Sequence, residues 1–122
     1  MDDYRLFDAE YRLMDLVWEC QPINSTALSK LCQERLGWKK STTFNLIRKL
    51  GERGFLQNDH ATVTALVKRE QVRQYESAAV VERGFGGSLP AFVAAFLMGN
   101  KLSPEEAEEL RRMIDESGAR HD

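Results

Sequence analysis

The 122 residues predict a mainly α protein: a winged helix-turn-helix domain over 1–69, with three helices and a two-stranded wing, and a helical region over 70–122. Three observations carry that prediction. Apolar residues recur with helical period in three successive N-terminal segments. A short strand, a turn and the β-branched stretch Thr62-Val63-Thr64-Ala65-Leu66-Val67 follow the third of them. Three more segments of helical period complete the chain, the last opened by Ser103-Pro104-Glu105-Glu106.

The first helix opens at Asp8, with Glu10 in its first turn, where the macrodipole favours a negative charge. Leu13, Leu16, Val17 and Cys20 recur at helical spacing, and Tyr11, Met14 and Trp18 widen the stripe, so this helix is expected to be largely buried. Gln21-Pro22 stops it. Asn24 or Ser25 caps a second helix with Ala27, Leu28, Leu31 and Cys32 on its apolar face, and Gly37 ends it. The third helix runs from about Ser41 to Arg53, capped by Ser41 or an immediate neighbour, with Gly54 just beyond. Phe55-Leu56-Gln57 reads as a strand, Asn58-Asp59-His60-Ala61 as a turn and Thr62 to Val67 as a second strand.

A fourth helix spans about Arg69 to Arg83, with Val72, Tyr75, Ala79 and Val80 on one side, until Gly84, Gly86 and Gly87 break it. Ser88 opens a fifth, whose first turn tolerates Pro90. Ser103 at the N-cap, Pro104 at the first helical position and Glu106 two residues on open the sixth, which carries Ala107, Leu110, Met113 and Ile114.

With 30% charged and 43% hydrophobic residues the composition is globular. No stretch approaches the roughly 18 apolar residues of a membrane span. The start, Met1-Asp2-Asp3-Tyr4, is acidic and no basic-then-apolar segment follows, so neither membrane insertion nor secretion is expected, and the cytoplasm is the expected location. Two cysteines, Cys20 and Cys32, make no disulfide framework and read as small buried hydrophobes. The net charge of -2 conceals a band. Residues 35–73 hold nine basic groups and three acidic ones (Glu52, Asp59 and Glu70), a local +6 between acidic flanks. Such a band is either a footprint for a polyanion or a solvated, salt-bridged surface.

The third helix favours the first alternative. At about 100° per residue, Thr43, Leu46, Ile47 and Leu50 share one face, which is expected to pack on the first two helices. Ser41, Phe44, Asn45 and Arg48 fall opposite. In a major groove Asn bonds bidentately to adenine, Arg to guanine, and an aromatic edge packs on a thymine methyl. Ser41 and Thr42 stand at the helix start, where hydroxyls and free N–H groups hold phosphate. Lys39 and Lys40 precede it as phosphate clamps, and Lys49 and Arg53 lie on its flanks. In the wing only His60 is a candidate contact, because the turn lacks Lys and Arg and Asp59 repels phosphate.

The C-terminal helices need a partner. Each is short for independent stability, and about 50 residues bury little surface alone. The stripe Leu89, Phe92, Val93, Phe96 and Leu97, with Tyr75, Leu110, Met113 and Ile114, either folds back on its own chain or meets a second copy. A twofold homodimer is the favoured expectation, since paired half-sites on double-stranded DNA require one.

Enzyme chemistry is not expected. His60 and His121 are the only histidines, and His60 has no second ligand at metal spacing. The glycines near 85 follow no strand, and the acids from Glu105 to Glu109 read as a solvated helix start, so no cofactor and no metal are expected. The competing class is a winged-helix protein–protein interaction module without specific DNA binding; it would lack the steep salt dependence of a phosphate-contacting protein.

The ordered set Asp8-Ala9-Glu10-Tyr11-Arg12-Leu13-Met14, Val17-Trp18, Trp38, Thr42, Leu46-Ile47, Leu50, Gly54-Phe55, Gly86-Gly87, Leu102 to Glu106 and Glu108-Glu109-Leu110 resembles the penicillinase and methicillin-resistance repressors, the BlaI/MecI/CopY family. The resemblance covers about residues 6–117. It implies a winged-helix repressor dimer with intertwined C-terminal helices on a palindromic operator. It further implies, for the antibiotic-resistance members, transient contact with a β-lactam-sensing membrane receptor-protease that cleaves the dimerisation region at an Asn-Phe bond. The matching place here is Ala94-Ala95-Phe96, which lacks the Asn, so Ala95–Phe96 is the equivalent bond. The paired C-terminal cysteines of the copper-responsive branch are absent from 101–122.

Overall fold

The computed structural model describes residues 3–120, which excludes His121. The helices are α1 (Asp8–Cys20), α2 (Ser25–Leu36), α3 (Lys40–Glu52), α4 (Arg69–Phe85), α5 (Leu89–Gly99) and α6 (Pro104–Arg120). The strands are β1 (Ile23–Asn24), β2 (Leu56–Asp59) and β3 (Thr62–Ala65). The protein is a mainly helical winged helix-turn-helix. The chain divides into two compact units, and the division falls inside α4, after Ala78.

In the first unit the α1 stripe is buried as its periodicity predicts: Leu13, Met14, Leu16 and Val17 all lie in the core. Glu10 closes the start of α1 by accepting a hydrogen bond from the Phe7 amide at 2.9 Å. Asn24 caps α2, its side-chain oxygen accepting from Thr26 at 2.8 Å and Ala27 at 3.3 Å. Gly37, at φ +70°, ends α2 in the left-handed conformation that glycine adopts without steric cost. The start of α3 departs from expectation. It lies at Lys40, one residue early, and Lys39 at the N-cap offers no side-chain bond, so Ser41 is not the cap.

The sheet is antiparallel in the order β1-β3-β2. Leu56 pairs with Ala65 and Asp59 with Thr62 across the wing. Asn58 and Asp59 are therefore strand and not turn; the turn is His60-Ala61 alone, at φ +52° and +67°. Two consecutive positive φ values mark the two-residue hairpin that matches the natural strand twist. The strand β1 escapes periodicity because it is two residues long, Ile23 opposite Val63 and Asn24 opposite Thr62. At the wing's base the Leu66 amide donates to the Phe55 carbonyl at 2.8 Å, and β3 ends before it, at Ala65. Leu28, Cys32, Ile47, Leu50, Phe55, Leu56, Val63 and Val72 complete one core beneath helices and sheet. Trp18 ties α1 to the chain after the wing, donating from Nε1 to the Val67 carbonyl at 2.8 Å, with the Arg69 guanidinium 5.2 Å from its ring centre.

In the second unit α4 continues through Gly84 to Phe85, and the break falls on Gly86 and Gly87, both at positive φ. Ser88 caps α5, accepting from the Ala91 amide at 3.1 Å. Phe85 and Phe92 meet edge to face at 5.4 Å. The box at α6 forms as read: Glu106 N–H donates to Ser103 Oγ at 3.1 Å, and Ser103 N–H donates to Glu106 Oε1 at 3.3 Å.

Candidate nucleic-acid interface

Burial of Thr43, Ile47 and Leu50 sets the rotation of α3 about its axis. That rotation leaves Ser41, Thr42, Asn45, Arg48 and Lys49 exposed, with Lys39 and Lys40 exposed just ahead of them. The first amides of α3 receive no side-chain cap, so they keep the partial positive charge and open donors that favour an anion. Thr43 lies directly beneath. Its Oγ1 is buried with no nitrogen or oxygen partner among the described residues. Burial also pushes the Cys32 thiol above its ordinary pKa, and the neighbouring Thr43 hydroxyl opposes that shift.

Phe44 corrects the helical-wheel expectation. It is half-buried against the edge of the core, not fully outward, and the Lys40 ammonium lies 5.9 Å from its ring centre. The wheel treats α3 as isolated. The structure sets β2 and Leu66 beside it, and together they form a cleft of about 650 Å³ with Phe44 and Ile47 in its lining and Arg48, Glu52, Gln57 and Asn58 at its polar positions. Gln57 and Asn58 enter the site through tertiary packing, a signal that no local pattern carries.

Arg53 is a second correction. Its guanidinium turns back into the fold, donating from Nη1 to Glu10 at 3.0 Å and from Nη2 to the Arg5 carbonyl, and it lies 4.6 Å from the Phe55 ring centre. Glu10 is buried, so this cation is committed to the protein and not to a phosphate. Arg48 stays outside and donates from Nη1 to Glu52 one turn on. His60 stands at the wing tip, its Nδ1 2.6 Å from Asp59 Oδ1, with 95% of its side chain exposed.

The residues expected at a subunit interface separate into two groups. Tyr75 belongs to the first unit, where Tyr4 packs edge-on to it at 6.1 Å and edge-on to Phe55 at 6.3 Å. That contact was unreadable because residues ahead of α1 carry no periodic signal. In the second unit Leu89, Val93, Phe96 and Leu97 of α5 are exposed, as are Leu110, Met113 and Ile114 of α6, while Phe92 is half-buried. Ala95 is exposed beside Phe96, inside α5.

A three-helix unit with a small wing, whose third helix presents an uncapped start and a cationic outer face, has the build of a winged-helix DNA-binding regulator. The family model described as penicillinase repressor matches residues 6–116, and the chain belongs to that family. It is 26% identical over 117 residues to the penicillinase repressor of Bacillus licheniformis, covering 92% of this chain and 91% of that one. It is 23% identical over 116 residues to the methicillin resistance regulatory protein MecI of Staphylococcus aureus (strain N315), covering 92% and 94%. A solved structure of Lactococcus lactis ZitR, in a cysteine-to-serine mutant form, aligns at a TM-score of 0.40 and 16% identity, over 100% of this chain and 80% of that one. The family is one of transcriptional repressors and not of enzymes. No single helix among the described residues is long and apolar enough to cross a membrane.

Proposed function

We propose that the protein is a homodimeric, operator-specific repressor of antibiotic-resistance or cell-envelope genes, acting in the cytoplasm. The carrying observation is the exposure of Asn45 and Arg48 on the face of α3 opposite the one locked in the core. In this reading α3 enters the major groove, Asn45 and Arg48 meet base edges, and Lys39, Lys40, Ser41, Thr42 and Lys49 hold flanking phosphates. Phe44 contributes its exposed edge. His60 makes a weak backbone contact from the wing. Arg53 serves the fold.

The second copy covers the apolar faces of α5 and α6. Their exposed leucines, valine, phenylalanine, methionine and isoleucine support that reading, because solvated helices of this length do not hold such stripes open. Two α3 helices then address the two halves of a palindrome, and occlusion of the promoter represses. Relief comes from a transient membrane sensor-protease that cuts at Ala95–Phe96 and removes the dimer contacts. This last step rests on the family resemblance of the sequence and on the exposure of Ala95 and Phe96 within α5.

A nuclease footprint over the DNA upstream of the protein's own coding sequence tests the proposal. The expected result is one protected palindrome, lost when the protein is cut after Ala95. A uniform or absent footprint at moderate salt would reject it in favour of a protein-interaction module.

A further inference from the structure

Glu52 is the sole acid of α3, and its place is unfavourable on three counts. It ends the helix, where the macrodipole repels a carboxylate. It lies C-terminal to its cationic partner, the weaker order for a pair four residues apart. It sits in a basic band that would attract phosphate better without it. Stability does not account for it either: the Arg48 and Glu52 side chains are 58% and 65% exposed, and such exposed pairs contribute little.

The geometry of the pair suggests its use. Both Glu52 oxygens accept from one nitrogen, Arg48 Nη1, at 3.4 and 3.3 Å. Nε and Nη2 keep no protein acceptor among the described residues. An arginine drawn to a carboxylate by one corner is biased towards presenting its remaining donors as a fork, the shape that meets guanine O6 and N7. Both side chains also line the cleft between α3 and β2, so the carboxylate stands beside Arg48, where its charge repels any phosphate that competes with the bases for that guanidinium.

We propose that Glu52 is a specificity-determining positioning residue: it orients Arg48 for guanine and discourages phosphate binding, so that total affinity is lower and sequence discrimination higher. The inference rests on the DNA-reading role of α3 proposed above.

The test uses the full-length protein, a pool of duplexes with randomised sequence, and poly(dI–dC) as the indifferent competitor. Wild type, Glu52→Ala, Glu52→Gln, Arg48→Ala and the Arg48→Ala/Glu52→Ala double variant are compared after their thermal melts are shown to match. Glu52→Ala is expected to bind poly(dI–dC) severalfold more tightly at low salt. Its preference at the position read by Arg48 should fall roughly twofold. Glu52→Gln, which can still accept a hydrogen bond, should share the gain in indifferent binding and retain most of the preference. The double variant should match Arg48→Ala at that position. Unchanged discrimination in Glu52→Ala overturns the proposal, as does a further loss in the double variant, which would mean that Glu52 acts on the fold at large. Should wild type enrich no sequence at all, the DNA-reading role fails and takes this inference with it.

Discussion

Glu10 at the start of α1 and Arg53 just past the end of α3 are 43 residues apart in sequence, yet their carboxylate and guanidinium meet at 3.0 Å. The same Glu10 carboxylate accepts the Phe7 amide, so one buried acid anchors the entry of one helix and the exit of another. Leu13, Met14 and Val17 of α1 and Ile47 and Leu50 of α3 fill the core that these two ends bound. The pair thus ties the end of α3 to the start of α1, while the buried residues of α3 set which way its outer face points. Arg53→Ala leaves a largely desolvated carboxylate without its cation and should destabilise by about 2 kcal/mol. Urea unfolding measures it, and DNA affinity per folded molecule should stay near wild type. A loss of affinity without a loss of stability would return Arg53 to the phosphate contacts.

Beneath the same helix, the buried Thr43 hydroxyl has the Cys32 thiol, a weak partner, beside it. Thr43→Val keeps the shape and the β-branch while deleting a poorly paired buried hydroxyl and its weak contact with the thiol, and should be neutral to stabilising by up to about 1 kcal/mol. The adjacent Cys32 adds a pH dependence. Burial raises its thiol pKa, so the folded state holds the proton more tightly than the unfolded chain does. Its contribution is present at neutral pH and is lost as alkaline pH rises through the folded thiol's pKa. Thiol-reagent kinetics in folded protein should accordingly stay slow up to alkaline pH. A fast-reacting Cys32 at neutral pH would contradict this.

The wing turn predicts a second gain. Ala61 holds φ +67°, where a Cβ costs about 1–2 kcal/mol, and glycine carries no such cost but loses about 0.5–1 kcal/mol more chain entropy. Ala61→Gly should therefore stabilise by up to about 1.5 kcal/mol in thermal or urea melts. Destabilisation would mean that the turn is not of this type.

Phe96 sits exposed in the middle of the α5 stripe. Phe96→Asp would bury an unpaired charge at a dimer contact and should yield monomers by analytical ultracentrifugation, with operator binding weakened severalfold or more. A dimer that survives places the interface elsewhere.

Much of this fold was legible in the sequence because its signals are local. The α1 stripe, the Asn24 cap, Gly37 in the left-handed region and the Ser103–Glu106 box each lie within a few residues. What was not legible depends on distant chain segments. The strand β1 is too short for a period and exists because β3 offers an edge. Phe44 is half-buried because it packs against the edge of the core, which no wheel includes. Arg53 looks like any other cation of the basic band until Glu10 arrives beside it. Tyr75 shares an apolar side of α4 with its neighbours, but Tyr4 claims it for the first unit. The outward residues Asn45 and Arg48 were legible because the buried face of α3 left them only one side.

The most direct measurement compares wild type with Asn45→Ala/Arg48→Ala on one selected palindrome and one scrambled duplex across a salt series. Wild type should show a log–log salt slope of about -5, from roughly six phosphate-neutralising lysines per dimer (Lys39, Lys40 and Lys49 of each copy), and a large excess for the palindrome. The double variant should keep a steep slope while losing most of that excess, as removal of two base contacts at about 1–3 kcal/mol each requires. A double variant that still prefers the palindrome as wild type does would contradict the assignment of α3 as the reading element.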